Sequence, residues 1–246
     1  MPEGPSMVIL KELVKEFKNK KIIHAAGNTK KLDTQIINDK EVIDFKSWGK
    51  HFLICFDYFS IRIHFMLFGS YRINERKESE PRLRLEFENG ELNFYACSVQ
   101  LIESPLSEVY DWEADVMNEH WNANKAKAKL DSKPDMLVCD ALLDQNIFSG
   151  VGNIIKNEVL FRIGVHPESK LGDIPYEKIQ QLITEAVNYS FDFLIWKKEF
   201  TLKKHWLAHT KKVCPRDKTP LIKKHLGKSN RRSFFCTVCQ TLYKSA

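Results

Sequence analysis

No stretch of this 246-residue chain stays apolar for the length a bilayer requires, and its first residues lack the basic, apolar, then small pattern of a secretory signal. Neither a membrane span nor an exported precursor is therefore expected. An intracellular protein, cytoplasmic or nucleoid-associated, is expected. There is no internal repeat, which argues against a solenoid, and no strong signature of an organic cofactor. Cysteines are few, at six. In a reducing compartment they are read as thiols or metal ligands rather than disulfides.

What is present is unevenly distributed. The net charge is +6, but residues 197–232 hold ten Lys and three Arg against only Glu199 and Asp217, a local net of +11. The remainder of the chain is left at −5. A tail made only for solubility would not interleave cysteines, aromatics and histidines with its charge, as this stretch does. Such a footprint points to a polyanion, most often nucleic acid.

The apolar residues set out an α+β multidomain plan. In MVILKELVKEFKNKK, Met7, Leu10, Val14 and Phe17 recur at helical spacing. KHFLICF, SIRIHFM, RLRLEF and ELNFYACSVQL then read as strands, with Asn89-Gly90 as a hairpin turn. One leading helix followed by a β-sandwich or barrel is expected. NANKAKAKLDSKPD reads as a polar, lysine-rich loop. DALLDQNIF, IIKNEVLFRI and YEKIQQLITEAVNYSFDFLIW read as helical. In the last, Ile179, Leu182, Ile183, Ala186, Val187, Phe191 and Leu194 share a face. Domains are expected at 1–112, 113–205 and 206–246.

The third of these carries Cys214 and the pair Cys236-x-x-Cys239. The pair puts two thiolates on one knuckle at zinc-ligand spacing. The first half reads Cys-Pro-Arg-Asp, so Asp217 stands where a four-cysteine ribbon needs a thiol. The fourth donor is open between Asp217, His225 and His209, and packing alone could hold the hairpin. Cys55, Cys97 and Cys139 lie in apolar runs and read as small buried hydrophobes. Arg231 and Arg232 fall near the tip or on the second strand of the hairpin. A solvated hairpin accounts for them; so does guanidinium contact with phosphate or a base.

Four segments, in order along nearly the whole chain, resemble the formamidopyrimidine-DNA glycosylase and endonuclease VIII family. They are Pro-Glu-Gly-Pro at the start, SWGKHFLICF…SIRIHFMLFGSYRI, DALLDQNIFSGVGNIIKNEVLFRIGVHP and RRSFFCTVCQ. The resemblance implies an N-terminal helix with a β-sandwich, a helix–two-turns–helix DNA-binding domain, and a C-terminal zinc-ribbon-like β-hairpin with structural zinc on Cys214, Cys236, Cys239 and an uncertain fourth ligand, Asp217. It implies a partner, double-stranded DNA containing damaged bases or abasic sites, bound by a monomer.

The resemblance also gives the opening residues a role. Once Met1 is removed, Pro2 carries a secondary amine, and α-amines titrate near ~8, so a neutral fraction exists at physiological pH. Such an amine attacks C1′ of deoxyribose as Schiff-base lysines attack carbonyls. Glu3 is implied in acid/base steps at the sugar, helped by burial against the first helix. Lys50, in WGKHF, is implied to hold the phosphate beside the lesion and to assist proton transfer. Met66, Leu67 and Phe68 match three residues that fill the hole left by an everted base. They could instead be strand core, but MLF breaks the alternation and Gly69 follows at once. Gly152 and Asn153 of SGVGN match a phosphate-binding turn. Arg231 matches the finger arginine, with Arg232 as a substitute.

Ser6 replaces a glutamate of most relatives, and TLKKHWLAHTKK does not look like the usual lead-in strand. Pro-Glu-Gly-Pro with Met66–Phe68 favours the endonuclease VIII-like branch and oxidised pyrimidines. The expected activity is a bifunctional glycosylase and AP lyase working by β,δ-elimination. Two alternatives stand beside it: a non-catalytic binder of damaged or abasic DNA, and a zinc-ribbon transcription or RNA-binding factor, which leaves Pro2-Glu3 unexplained.

Overall fold

A computed structural model describes residues 2–244. The chain divides into two compact units, Met1–Asp111 and Trp112–Ala246.

The first unit opens with helix α1 (Gly4–Leu13), where Pro5 sits in the first turn and leaves no helical hydrogen bond unmade. A 3-10 turn at Lys15–Phe17 follows. Six strands are then laid down: β1 (Ile22–Ala26), β2 (Asp44–Trp48), β3 (His51–Cys55), β4 (Ser60–Ile73), β5 (Leu83–Phe87) and β6 (Gly90–Ile102). Every pairing is antiparallel, in the order β1-β5-β6-β4-β3-β2. The long strands β4 and β6 take part in both halves of the sandwich. The first part of β4 pairs with β3 and the end of β6; its second part pairs with the start of β6, which also holds β5. In SIRIHF, Ile61, Ile63 and Phe65 are buried while Arg62 and His64 are half-buried, the period-2 pattern of a sheet covered on one face. The core joins Met7, Leu10 and Phe17 to Phe52, Phe87 and Phe94, with the Phe17 and Phe87 rings 4.8 Å apart.

The β5–β6 hairpin turns one residue earlier than Asn89-Gly90 implies. Phe87 faces Gly90 across the ladder, so Glu88-Asn89 is the loop. Gly90 has φ 146, and a Cβ there would lie 2.0 Å from Asn74 Oδ1, the atom that accepts the Glu91 N–H at 2.8 Å. Gly90→Ala is therefore expected to lower unfolding stability by about 1–3 kcal/mol, read as a reduced urea midpoint at unchanged slope.

The second unit contains α3 (Ala123–Asp131), α4 (Val138–Ala141), α5 (Asn153–Ile163) and α6 (Tyr176–Lys198); α2 (Leu106–Val109) closes the first unit. The segment read as a lysine-rich loop is largely helix α3. Asn122 caps it by accepting the Lys125 N–H at 3.0 Å, and Ala126 and Leu130, four residues apart, supply its buried edge. DALLDQNIF contains only the end of four-residue α4; the chain then runs on in turns. The buried face of α6 passes through Tyr189 and Phe193, whereas Phe191 is exposed, because a 3.6-residue period drifts over 23 residues. Strands β7 (Ile222–Leu226) and β8 (Arg231–Phe235) form the terminal hairpin. No helix among the described residues is long and apolar enough to cross a membrane.

Candidate nucleic-acid interface and metal centre

At the start of the first unit, Glu3 is extended and buried, and Pro2 is half-buried. Ser6 completes a capping box by accepting the Glu3 N–H on its Oγ at 3.4 Å, while the Ser6 N–H reaches the Glu3 carbonyl at 2.8 Å. The residue that departs from the expected glutamate thus fixes the backbone beside Glu3. α1 packs against β2 and β3. Those strands are joined by Gly49-Lys50, a two-residue connection with Gly49 at φ 51, and Lys50 is half-buried there.

Next to Lys50 lies a group that sequence reasoning missed. His51 faces His64 across the β3–β4 ladder, with the rings 5.1 Å apart and edge-on. Trp48 and Tyr110 close around His51 at 5.6 and 5.7 Å, and the Trp48 indole N–H donates to the Asp111 carbonyl at 2.9 Å. Burial first, then the charges of Arg62, His64 and Lys50, pulls the His51 pKa down to about 3; burial, Lys50 and Arg62 lower that of His64. Both shifts favour the neutral imidazole at pH 7. The pairing is non-local, so no local motif announces it.

The sign for stability follows from these shifts. Below the ordinary histidine pKa of 6.5 the unfolded chain takes up a proton that folded His51 refuses until about pH 3. Stability from this group is complete above pH 6.5 and drains away as pH falls toward 3. His51→Phe, which keeps a ring against Trp48 and Tyr110, is expected to flatten the fall in urea midpoint between pH 7 and 4.5 by about one proton's worth of slope.

Met66, Leu67 and Phe68 lie outside the core. Pairing of β4 with β6 jumps from Phe65–Cys97 to Ser70–Tyr95, so residues 66–69 loop out opposite Ala96 alone. The three side chains are exposed, Phe68 at 84%. Gly69 closes the loop where a Cβ would meet Phe65 Cβ at 2.8 Å and the Ala96 carbonyl at 2.9 Å. The strand-core alternative is excluded for these residues.

In the second unit Gln145 holds the SGVGN turn. It accepts the Gly150 N–H at 3.1 Å and donates to the Val151 carbonyl at 3.1 Å. Gly152 is the N-cap of α5, and Asn153 is its first residue. Asn153 Nδ2 donates to the Arg232 carbonyl at 2.9 Å. Lys156, which is buried, donates to Ser233 Oγ at 2.8 Å, and Asn157 Oδ1 accepts the Phe234 N–H at 3.3 Å. One face of α5 therefore grips β8, leaving the Arg231 and Arg232 side chains exposed beside the turn. Lys156 and Asn157 were overlooked; the signal was three successive polar residues, Lys156, Asn157 and Glu158, set between the apolar runs Ile154-Ile155 and Val159–Phe161. Glu158 accepts the N–H groups of Leu207, Ala208 and His209 at 2.8, 3.0 and 2.6 Å, and burial raises its pKa.

Cys214, Asp217, Cys236 and Cys239 bring their donor atoms within 4.8 Å of one another. All six cysteines are free thiols, and Cys55, Cys97 and Cys139 are buried away from this cluster. Thr219 donates both its N–H, at 2.9 Å, and its hydroxyl, at 2.6 Å, to Asp217 Oδ1. Oδ2 is thereby turned toward the thiols, 3.0 Å from Cys236 Sγ. Burial and the neighbouring thiols of Cys236 and Cys214 push the Cys239 pKa up to about 12, a crowding of sulfur that a divalent cation relieves. The donor set fits one tetrahedral zinc. Neither histidine alternative joins the donor cluster found among the described residues, which holds Cys214, Asp217, Cys236 and Cys239; His209 Nδ1 bonds the Asn157 amide at 3.0 Å and His225 Nδ1 the Asn230 carbonyl at 2.9 Å.

Residues 1–97 match the model described as formamidopyrimidine-DNA glycosylase N-terminal domain, and residues 113–189 match that family's H2TH domain. Endonuclease 8-like 3 of Bos taurus is 30% identical over 230 residues, covering 88% of this chain and 38% of that protein. Endonuclease 8-like 2 of Bos taurus is 33% identical over 196 residues, covering 73% and 58%. The chain thus spans less than two thirds of the length of each of these relatives. Among solved structures, Lactococcus lactis formamidopyrimidine-DNA glycosylase bound non-covalently to DNA containing an AP site superposes with a TM-score of 0.85 at 19% identity, over 97% of this chain and 99% of that one. A viral DNA glycosylase gives 0.82 at 20%, over 97% and 100%.

Proposed function

The chain belongs to the formamidopyrimidine-DNA glycosylase and endonuclease VIII family, and on that premise we propose that it is a DNA-repair glycosylase with AP lyase activity. In this reading residues 1–112 carry the chemistry, 113–205 bind the DNA backbone and 206–246 form the metal-held hairpin, the protein acting as a monomer. The substrate is duplex DNA with an oxidised base, a pyrimidine in preference, as the exposed Met66–Phe68 loop and the Endonuclease 8-like relatives favour.

The observation that carries the proposal is the setting of Pro2-Glu3. Glu3 is buried at the head of a helix packed on the two strands that Lys50 joins. With Met1 removed, the Pro2 nitrogen forms a bond to C1′ as the glycosidic bond breaks, and the base leaves with its electron pair and a proton. The nitrogen's own proton passes by way of Glu3 to O4′ as the C1′–O4′ bond breaks, and the nitrogen lone pair closes onto C1′ to give an iminium. Its positive charge acidifies C2′–H, and elimination expels the 3′ phosphate, then the 5′ phosphate. Glu3 moves protons at the sugar, and Lys50 neutralises the adjacent phosphate. Met66, Leu67 and Phe68 fill the space left by the everted base. Gly152, Asn153, Arg231 and Arg232 hold backbone phosphates.

When bound, zinc supplies a structural cross-link between the two ends of the hairpin. Cys214, Asp217, Cys236 and Cys239 would hold it, with Asp217 aimed by Thr219.

The test is incubation with duplexes containing thymine glycol or an abasic site. Base release and strand scission are expected; tight binding with neither would favour the non-catalytic damaged-DNA binder. Arg231→Ala and Arg232→Ala are each expected to lower affinity for damaged and undamaged duplex alike and to reduce the slope of log K against log salt by about 0.9, as measured by fluorescence anisotropy.

A further inference from the structure

A left-handed residue at position 200 closes the C-terminus of α6, but nothing in that turn calls for phenylalanine. Phe200 follows the C-cap Glu199 of α6 with φ 59, a left-handed conformation that glycine adopts freely and an aromatic residue does not. Nothing is gained by burial, because Phe200 is 96% exposed, the most exposed of the large apolar side chains among the described residues. Single exposed hydrophobics are ordinary; one that is also strained is not, and strain at an exposed side chain points to use.

The loop around it is stiff. The Phe200 N–H reaches the Lys197 carbonyl at 3.2 Å, and the Thr201 N–H and hydroxyl reach the Trp196 carbonyl at 2.8 and 3.3 Å. The Trp196 and His205 rings stack face to face at 4.1 Å with 4° between planes, closing the loop at its base. Within four residues of Phe200 in the chain lie Lys197, Lys198, Lys203 and Lys204, against Glu199 alone. A rigid, solvated aromatic in a positive field suits a flat apolar group attached to a polyanion. That is the description of an unpaired nucleobase, since paired bases hide their faces in the stack.

We propose that Phe200 is a stacking platform for an unpaired base of bound DNA. The inference rests on the glycosylase reading for its choice of DNA, and it adds a contact that reading does not contain.

The test compares wild-type protein with Phe200→Gly and Phe200→Trp on three probes: a single-stranded oligonucleotide, a duplex with an unpaired bubble, and a fully paired duplex. Phe200→Gly should raise Tm by about 2–4 °C, because glycine relieves the left-handed residue. It should weaken the single strand and the bubble roughly 5- to 100-fold and leave the paired duplex within twofold, with the salt slope unchanged because no charge is removed. Phe200→Trp should retain wild-type affinity for all three. Wild-type affinity of Phe200→Gly for every probe would overturn the platform while leaving the glycosylase reading intact, and an equal loss on all three would also overturn it. A wild-type protein that binds none of the probes would overturn both. Loss of binding to anionic vesicles, with the oligonucleotides unaffected, would assign the residue to a membrane surface instead.

Discussion

A variant with one N-acetylated residue ahead of Pro2, so that no terminal amine remains, is expected to give no borohydride-trapped adduct with abasic DNA. Its affinity for the same DNA should stay within a few-fold of wild type. The extension turns the proline nitrogen into an amide, whose lone pair is delocalised into the carbonyl and unable to attack carbon. Phosphate contacts assigned to the second unit are untouched, so binding persists. Pro2→Gly is a weaker probe, since a glycine terminus still offers a primary amine. Glu3→Gln separates the steps: it retains the nucleophile and removes proton transfer, so base release should slow by about two to four orders of magnitude while a preformed abasic site is still captured. Ser6 is spared in this design because it holds the Glu3 backbone.

Cys236→Ser is expected to release the bound metal and to free the hairpin. Structural zinc in isolated fingers contributes roughly 10–16 kcal/mol of folding free energy at neutral pH, so loss of one thiolate from a four-donor set is far larger than an ordinary side-chain change. Hydrogen exchange should accelerate in residues 222–235. DNA affinity should fall with it, because the Arg231 and Arg232 backbone is placed by that hairpin. Asp217→Cys should retain the metal with a fourth thiolate, and Asp217→Ala should lower metal affinity while leaving three cysteines in place. Metal content per chain, measured by atomic absorption after dialysis, distinguishes these outcomes. Equal metal in Asp217→Ala and wild type would remove the carboxylate from the ligand set.

Much of the fold is legible in the residue pattern, for stateable reasons. The strands of the first unit announce themselves because one face is buried and the other wet, as Ile61, Ile63 and Phe65 against Arg62 and His64 display. The exposed loop at Met66–Phe68 is legible because three apolar residues in succession cannot all face one side of a pleated strand. Helix α3 was hidden: its surface lysines dominate the composition, while only Ala126 and Leu130 mark its buried edge. The hairpin turn slipped by one residue because Asn89-Gly90 satisfies a turn template, whereas the Asn74 contact that requires glycine at 90 comes from a distant strand end.

The same division runs through the candidate site. Pro2, Glu3 and the C-x-x-C pair are short-range signals. His51 with His64, Lys156 with Ser233, and Thr219 with Asp217 depend on register or on a fold-back, which a linear reading does not contain. Asp217 itself is visible as a departure from a four-cysteine pattern, but its usefulness as a donor becomes visible only through the two hydrogen bonds that orient it. Phe200 lies in a segment whose sequence suggests nothing unusual, because the strain is in its backbone angle.

The central claim is that the nitrogen of Pro2 is the atom joined to the sugar. Mass mapping of the borohydride-trapped complex after proteolysis tests it most directly. The expected result is a nucleotide-bearing N-terminal peptide that begins at Pro2, lacks Met1 and carries the adduct on its first residue. An adduct on Lys50 or any other lysine, or a trapped peptide still bearing Met1, would contradict it.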